Sequence, residues 1–246
     1  MAGPLVAALQ ARVIIAPGIA ELDFEMREPE RLVFRAGQFV SISVDPVPST
    51  ADGASSSSSS SRRSYSIASQ TTEAGHLRFI IRVVAEGASS SYLMTLPLGA
   101  TVNLTGPHGF FVLDATHAGD VVFGATGTGM AAVMPMLGEL AARIEPGRRH
   151  VYWGVREPSD LFARAEIEAL AARAGATLSL HLTAPPAGWT GASGRITAAI
   201  LEALPTLTAP TFYLVGNGAM ITELKRELVA RGVNRKAQIR TEAFFD

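Results

Sequence analysis

From Asp120 onward, four apolar runs each lead into an amphipathic stretch, and this alternation limits the possible folds more than any other feature. "DVVFGA" precedes "MAAVMPMLGELAARI", "RHVYWGV" precedes "LFARAEIEALAARAG", "TLSLHLTA" precedes "ITAAILEAL", and "TFYLVGN" precedes "AMITELKRELVARG". "KAQIRTEAFF" reads as a last strand. Strand and helix repeats of this length imply a parallel sheet wrapped by helices, with ligands beyond the C-terminal strand ends. Two glycine-rich turns fall at those ends, "GATGTGM" at 124–130 and "VGNGAM" at 215–220. A turn without Cβ atoms lets backbone N–H groups approach a phosphate, and the following helix N-terminus adds donors and a favourable dipole. Each turn by itself also reads as a tight chain reversal, and the first lacks the full G-x-G-x-x-G spacing. Two such turns in one alternating domain favour a dinucleotide.

Up to about residue 115 the pattern is different. "ARVIIAPG", "ELDFEMRE", "RLVFRAGQFVSISV", "RSYSIAS", "LRFIIRVVAEG" and "TVNLTGPHGFFVL" read as short strands bounded by Gly and Pro, with almost no helical periodicity. This predicts a small antiparallel barrel or sandwich. The 246 residues, 48% of them hydrophobic, suffice for two cores. The expected organisation is therefore an N-terminal antiparallel β-barrel over residues 1–116 and a C-terminal α/β domain with a parallel sheet over 117–246. Inside the first lies "PSTADGASSSSSSS", Pro48 to Ser61. Serine runs bury nothing apolar and cannot offset the entropy of ordering, so a disordered loop between two strands is expected. A phosphorylation site there has no support in the residues.

Composition removes several classes. The formal charge is −1, from 21 basic and 22 acidic residues, with no basic stripe, so nucleic acid is not an expected partner. The absence of cysteine excludes disulfides, thiolate metal sites, cysteine-ligated iron–sulfur clusters and a thiol nucleophile from this chain. Any iron–sulfur chemistry must sit on another protein, and no metal site is expected. "MAGPLVAALQARVII" lacks the positive n-region of a secretory signal, which points to the cytoplasm. The 18 uncharged residues from Val121 to Gly138 are broken by Gly124, Gly127 and Gly129, which suits a strand, a turn and a helix rather than a membrane span.

"RRSYSIAS", at 62–69, alternates so that Arg63 and Tyr65 share one strand face. A cation, a flat ring and a neighbouring hydroxyl suit a ligand that carries both phosphate and an aromatic system. The alternative is an edge strand whose Arg and Tyr merely cover the sheet.

Seven stretches in order resemble the ferredoxin–NADP reductase superfamily: "RSYS" at 63–66, "GASSSYL" at 87–93, "GPHGFF" at 106–111, "GATGTG" at 124–129, "WGVRE" at 153–157, "GNGAM" at 216–220 and "EAFF" at 242–245. "VYWGVREPSDLF" and "PPAGWTGASGRIT" look most like NAD(P)H:flavin reductases and the reductase modules of bacterial oxygenases. The resemblance implies FAD on the barrel, with Arg63 at its pyrophosphate, Tyr65 stacked on the isoalloxazine and Ser66 hydrogen-bonded near flavin N5. Arg82 and Gly87 belong to the same set. So do Ser90 and Ser91, at a helix start facing the pyrophosphate, although simple capping also explains that serine pair. For the nicotinamide nucleotide it implies Gly127, Thr128 and Gly129 at the pyrophosphate, Arg156 near the ribose, and Gly216, Gly218 and Met220 beside the nicotinamide. Arg156 also reads as a surface charge. Glu242 would be an acid close to the hydride path and Phe244 a ring covering the flavin, or "EAFF" is the end of a buried edge strand. The chain departs from the family at Val215, where many members have Cys, and at Ala132, where Pro is usual and Pro135 follows three residues later. The serine tract also lengthens the loop before Arg63.

These readings imply an FAD-dependent NAD(P)H oxidoreductase that passes electrons to a separate acceptor such as a ferredoxin or oxygenase component. A diffusible flavin reductase is the alternative within the enzyme class, and an adapter that uses the fold for partner binding is the non-enzymatic one. NADH is expected over NADPH, because Thr183 to Gly194, where a 2′-phosphate would be read, holds no cation. Arg195 follows directly and could reach back, and Arg226 could approach from the last helix.

Overall fold

The computed structural model describes residues 5–44, 61–84, 88–116, 118–143 and 146–244. The serine tract before Ser61 lies outside the described residues, and so does Gly87. The elements run β1 (Leu5–Ala16), β2 (Ile19–Glu28), β3 (Phe39–Val44), β4 (Ser61–Ser66), β5 (His76–Arg82), α1 (Ala88–Thr95) and β6 (Thr101–His108). They continue with β7 (Val121–Thr126), α2 (Met130–Ala141), β8 (Arg149–Val155), α3 (Arg164–Arg173), β9 (Ala176–Leu182), β10 (Ala192–Ser193) and α4 (Ile196–Ala203). The last are β11 (Thr211–Asn217), α5 (Gly218–Ala230), α6 (Arg235–Gln238) and β12 (Ile239–Phe244).

The first six strands form one antiparallel sheet in the order β4-β3-β6-β1-β2-β5. Just past β4, Ala68 N–H donates to Arg78 O on β5 at 2.8 Å, which brings the two edges together as in a barrel. Strand alternation decides what each face meets. On β2, Ala20, Leu22, Phe24 and Met26 turn inward, while Glu21, Asp23 and Glu25 turn out. On β5, Leu77, Phe79 and Ile81 join this core, whereas Ile80 joins a second cluster made mostly by the other domain. Phe111 and Leu113, just after β6, join that second cluster too, packed with Met130 to Met134 of α2. Each such buried side chain contributes roughly 1.5–3 kcal/mol, so the two domains share a continuous apolar seam.

The C-terminal sheet is parallel and runs β10-β9-β8-β7-β11-β12. The chain builds outward from β7 through β8 to β9 and β10, then returns to place β11 and β12 on the other side of β7. The strand order therefore reverses between β7 and β11, and in open sheets the ligand crevice opens at such a reversal, beyond the strand ends. Both glycine turns sit there. Among the described residues no helix is long and apolar enough to cross a membrane.

Candidate active site

At the end of β7 the chain enters a single 3-10 turn, Gly127 to Gly129, before α2 begins. Gly127 has φ +52°, and the nearest atom to a Cβ there would be Arg82 Nη2 at 4.0 Å, so this backbone faces the cleft and a cation. From beneath, the buried Trp153 indole donates to Gly127 O at 3.1 Å and fixes the turn. The second turn packs against the first. Gly216 has φ +113°, Asn217 N–H donates to Thr126 Oγ1 at 2.8 Å, and Asn217 Oδ1 accepts from Met220 N–H at 2.9 Å to cap α5. Gly218 is the first residue of α5. Two helix N-termini thus open on one crevice, an arrangement suited to a pyrophosphate.

The barrel supplies the opposite wall. On β4, Arg63 is exposed and forms no ion pair among the described residues, while Tyr65 is half-buried with its ring 6.2 Å from Phe79. Burial pushes the Tyr65 hydroxyl up to about 12 against the opposing pull of Arg63, so the phenol stays protonated. Ser66 Oγ donates to Glu242 Oε1 at 2.8 Å, joining residues 176 positions apart across the domain boundary. Glu242 lies opposite Val215 in the β11–β12 register, and burial raises its pKa although the Ser66 bond pulls the other way. Phe244 is half-buried opposite Asn217. Arg82, at the end of β5, lies 3.9 Å from Asp160.

The remaining expected residues have the following surroundings. Ser90 is buried, and its hydroxyl donates to Val84 O at 3.0 Å and accepts from Val84 N–H at 3.1 Å, closing the link between β5 and α1. Ser91 is half-buried, with its carbonyl accepting from Thr95 Oγ1 at 3.0 Å. The Met220 side chain enters the core under α5, so only its backbone reaches the turn. Arg156 stands exposed beyond β8, its Nε 3.5 Å from Glu157. Thr128 is half-buried and Gly129 buried. Sequence reasoning missed Trp153, Thr126 and Asn217 as supports of the turns. The Asn217 signal was readable, since Asn directly before a helix start is a preferred cap.

The wall fits FAD on chemical grounds. It offers an exposed guanidinium for a pyrophosphate, an aromatic ring on the same strand face, and a hydroxyl at the cleft. The crevice opposite fits a second dinucleotide. A barrel and a doubly wound sheet meeting in this way define a two-domain, dinucleotide-dependent oxidoreductase.

Comparison with known proteins agrees. Residues 6–113 match the family described as "Oxidoreductase FAD-binding domain", and residues 123–226 match "Oxidoreductase NAD-binding domain". Ferredoxin–NADP reductase B of Sorangium cellulosum is 34% identical over 242 residues, covering 94% of this chain and 93% of that protein. The ferredoxin–NAD(P)(+) reductase component of the naphthalene 1,2-dioxygenase/salicylate 5-hydroxylase systems of Ralstonia sp. is 35% identical over 188 residues, 74% of this chain but 56% of that protein. Among solved structures, the Amycolatopsis cytochrome P450 reductase GcoB superposes with a TM-score of 0.83 at 25% identity, over 98% of this chain and 70% of that one. The chain belongs to the ferredoxin–NADP reductase superfamily.

Proposed function

We propose that this protein takes a hydride from NADH and delivers the electrons to a separate iron–sulfur acceptor, a ferredoxin or an oxygenase component, in the cytoplasm. The Ser66–Glu242 hydrogen bond carries this reading, because it draws the barrel wall and the nucleotide crevice onto one point. FAD bound to the barrel would accept the hydride and release electrons singly. The remaining work of the chain is alignment. The glycine turns and the starts of α2 and α5 hold the nucleotide pyrophosphate, Arg63 and Tyr65 hold the flavin nucleotide, and Ser66 keeps a proton directed at Glu242 Oε1. The domain boundary in this reading falls between Leu113 and Asp120. These 246 residues hold no cysteine and so no thiolates for a cluster, which supports an acceptor outside them. The names of the Sorangium and Ralstonia relatives favour the same acceptor class.

The test starts from purified protein, whose flavin absorbance should bleach on adding NADH. Arg63→Ala should retain its fold yet bind FAD ten- to a hundred-fold more weakly, the loss of a charge-assisted fork of roughly 1.5–3 kcal/mol. Titration of FAD into apoprotein measures this, and unchanged affinity would remove Arg63 from the site.

Nucleotide choice rests on the strand end after β9. Trp189 Nε1 donates to Ala192 O at 3.1 Å and folds the loop on itself. Two cations considered for that role stand beside carboxylates, Arg195 with 3.6 Å to Glu223 and Arg226 with 3.0 Å to Glu227. A 2′-phosphate that used Arg195 would have to share it with Glu223, whose charge opposes a phosphate there. The expected kcat/KM for NADH exceeds that for NADPH by roughly ten- to a hundred-fold, the equivalent of one absent charge-assisted contact. Glu223→Gln should narrow the gap by improving NADPH alone. Equal efficiencies in the unaltered enzyme, with ferricyanide as acceptor, would refute the preference.

A further inference from the structure

The geometry points to Arg78 as the positioning residue that sets the angle between the two domains, and the inference rests on the hydride-transfer reading above only for its kinetic consequence. Arg78 lies on β5 of the barrel. Its Nη1 donates to Glu166 Oε1 at 2.6 Å and its Nη2 to Glu166 Oε2 at 2.8 Å, a two-pronged grip on α3 of the nucleotide domain. Its Nε donates to Glu21 Oε2 at 2.8 Å on β2. One partly buried guanidinium, with a side chain 21% exposed, therefore ties two strands of one domain to a helix of the other. A planar fork of five donors suits this task, whereas an ammonium would not hold the two groups in fixed directions.

Position on the strand makes the clamp consequential. Alternate residues of β5 share a face, so Arg78, Ile80 and Arg82 all point at the nucleotide domain. Arg78 meets α3, Ile80 enters the shared apolar cluster, and Arg82 lies beside Asp160 and Gly127. At about 6.6 Å per two residues, the clamp and the phosphate-facing turn are separated by roughly 13 Å of one straight strand. A rotation permitted at Arg78 is transmitted to the turn.

Removing the guanidinium would leave Glu21 and Glu166 facing each other without a shared cation. Few cations nearby could replace it: His76 lies 3.7 Å from Asp23, Arg164 donates to Glu168 at 2.7 Å, and Glu73 on the same side adds a further carboxylate. Repulsion would then press α3 away from the barrel, while the apolar seam keeps the domains folded.

The experiment compares Arg78→Met, Arg78→Met with Glu166→Gln, and Glu166→Ala as full-length FAD-loaded proteins. Hydrogen–deuterium exchange of the α3 and β5 peptides is followed without nucleotide, and the limiting rate of flavin reduction by NADH is followed in stopped flow. Arg78→Met should exchange at least fivefold faster along the seam and reduce at least fivefold more slowly. Its FAD content and the NADH concentration at half-maximal rate should stay within twofold of the unaltered protein. Adding Glu166→Gln should restore at least half of each loss, because it removes the repulsion without restoring the fork. An Arg78→Met protein with unaltered exchange and rate overturns the proposal, and so does a double variant as impaired as the single one when Glu166→Ala alone leaves exchange and rate unaltered, which would confine Arg78 to a role inside the barrel. If Arg78→Met does not fold, Glu166→Ala on the exposed side of α3 decides in the same way, with unaltered seam exchange as the overturning result. Failure of the unaltered protein to bleach with NADH would count against the hydride reading and leave the exchange experiment to judge the clamp.

Discussion

Replacing Gly216 with alanine is expected to lower stability by roughly 2–6 kcal/mol and to slow NADH-driven flavin reduction by about 10²-fold. The backbone there has φ +113°, a conformation that costs a side chain about 1–3 kcal/mol. A Cβ would also lie 2.3 Å from Thr126 Oγ1 and 2.6 Å from Thr126 O, and overpacking of that kind adds about 1–3 kcal/mol. Thr126 could not yield freely. Its backbone is laddered to Gly154 of β8, and its hydroxyl receives Asn217 N–H. The displaced element would be the first glycine turn, and misplacing a reactant by about 1 Å is enough for a 10²-fold loss. Gly175→Ala provides the control, since Gly175 also has positive φ, +61°, but a Cβ there meets nothing within 4 Å. It should lose only about 1–2 kcal/mol and keep its reduction rate. Thermal melts and stopped-flow traces of both variants are decisive, and equal behaviour would mean that the two turns do not support each other.

The parallel half of the fold was legible because its two central strands, β7 and β11, are buried on both faces and run into glycine turns, so apolar run, turn and helix follow one another in the letters. The barrel was legible in kind but less so in extent. "RLVFRAGQFVSISV" reads as one strand, yet only Phe39–Val44 is strand. Before it, Arg35 N–H donates to Gln38 Oε1 and Gln38 N–H to Arg35 O, closing a turn. Leu32 and Phe34 are buried from a loop rather than from a sheet, and alternation cannot tell these apart. The last strand starts later than "KAQIRTEAFF" suggests, because Asn234 accepts from Lys236 and Ala237 N–H and caps a short helix first.

The candidate site was legible to the level of residue type and order, and not to the level of contact. Nothing in "RSYS" or "EAFF" says that Ser66 and Glu242 meet, since their approach depends on the angle between two domains. Arg78 and Glu166 went unnoticed for the same reason. An ion pair 88 residues apart leaves no periodicity, and each partner reads singly as a solvated charge. Helical position also redirected Met220, whose place in the first turn of an amphipathic helix sends its side chain to the core whatever the turn before it binds.

Ser66→Ala and Glu242→Gln should each slow NADH-driven flavin reduction by about 10²–10³-fold while leaving FAD bound, the scale of one preorganised hydrogen-bonding group lost from a water-poor site. The pH dependence separates them. Burial raises the Glu242 pKa and the Ser66 hydrogen bond opposes that rise, so the unaltered protein should show an ionisation in its reduction rate above the usual carboxylate value of about 4.3. Ser66→Ala removes the opposing bond and should move this ionisation further up. Glu242→Gln should abolish it. Stability supplies an independent sign. A carboxyl whose folded-state pKa is raised favours the folded state while protonated, and that advantage is lost as pH rises from its unfolded to its folded value. At neutral pH the buried carboxylate is therefore a cost, so Glu242→Gln should melt at a higher temperature than the unaltered protein there, with the difference closing as pH falls below the unfolded value. A variant that is both slower and more stable at neutral pH marks Glu242 as a charge kept for function. If Glu242→Gln reduces at the unaltered rate with an unchanged pH profile, the carboxyl serves packing and the proton relation to Ser66 has no part in turnover.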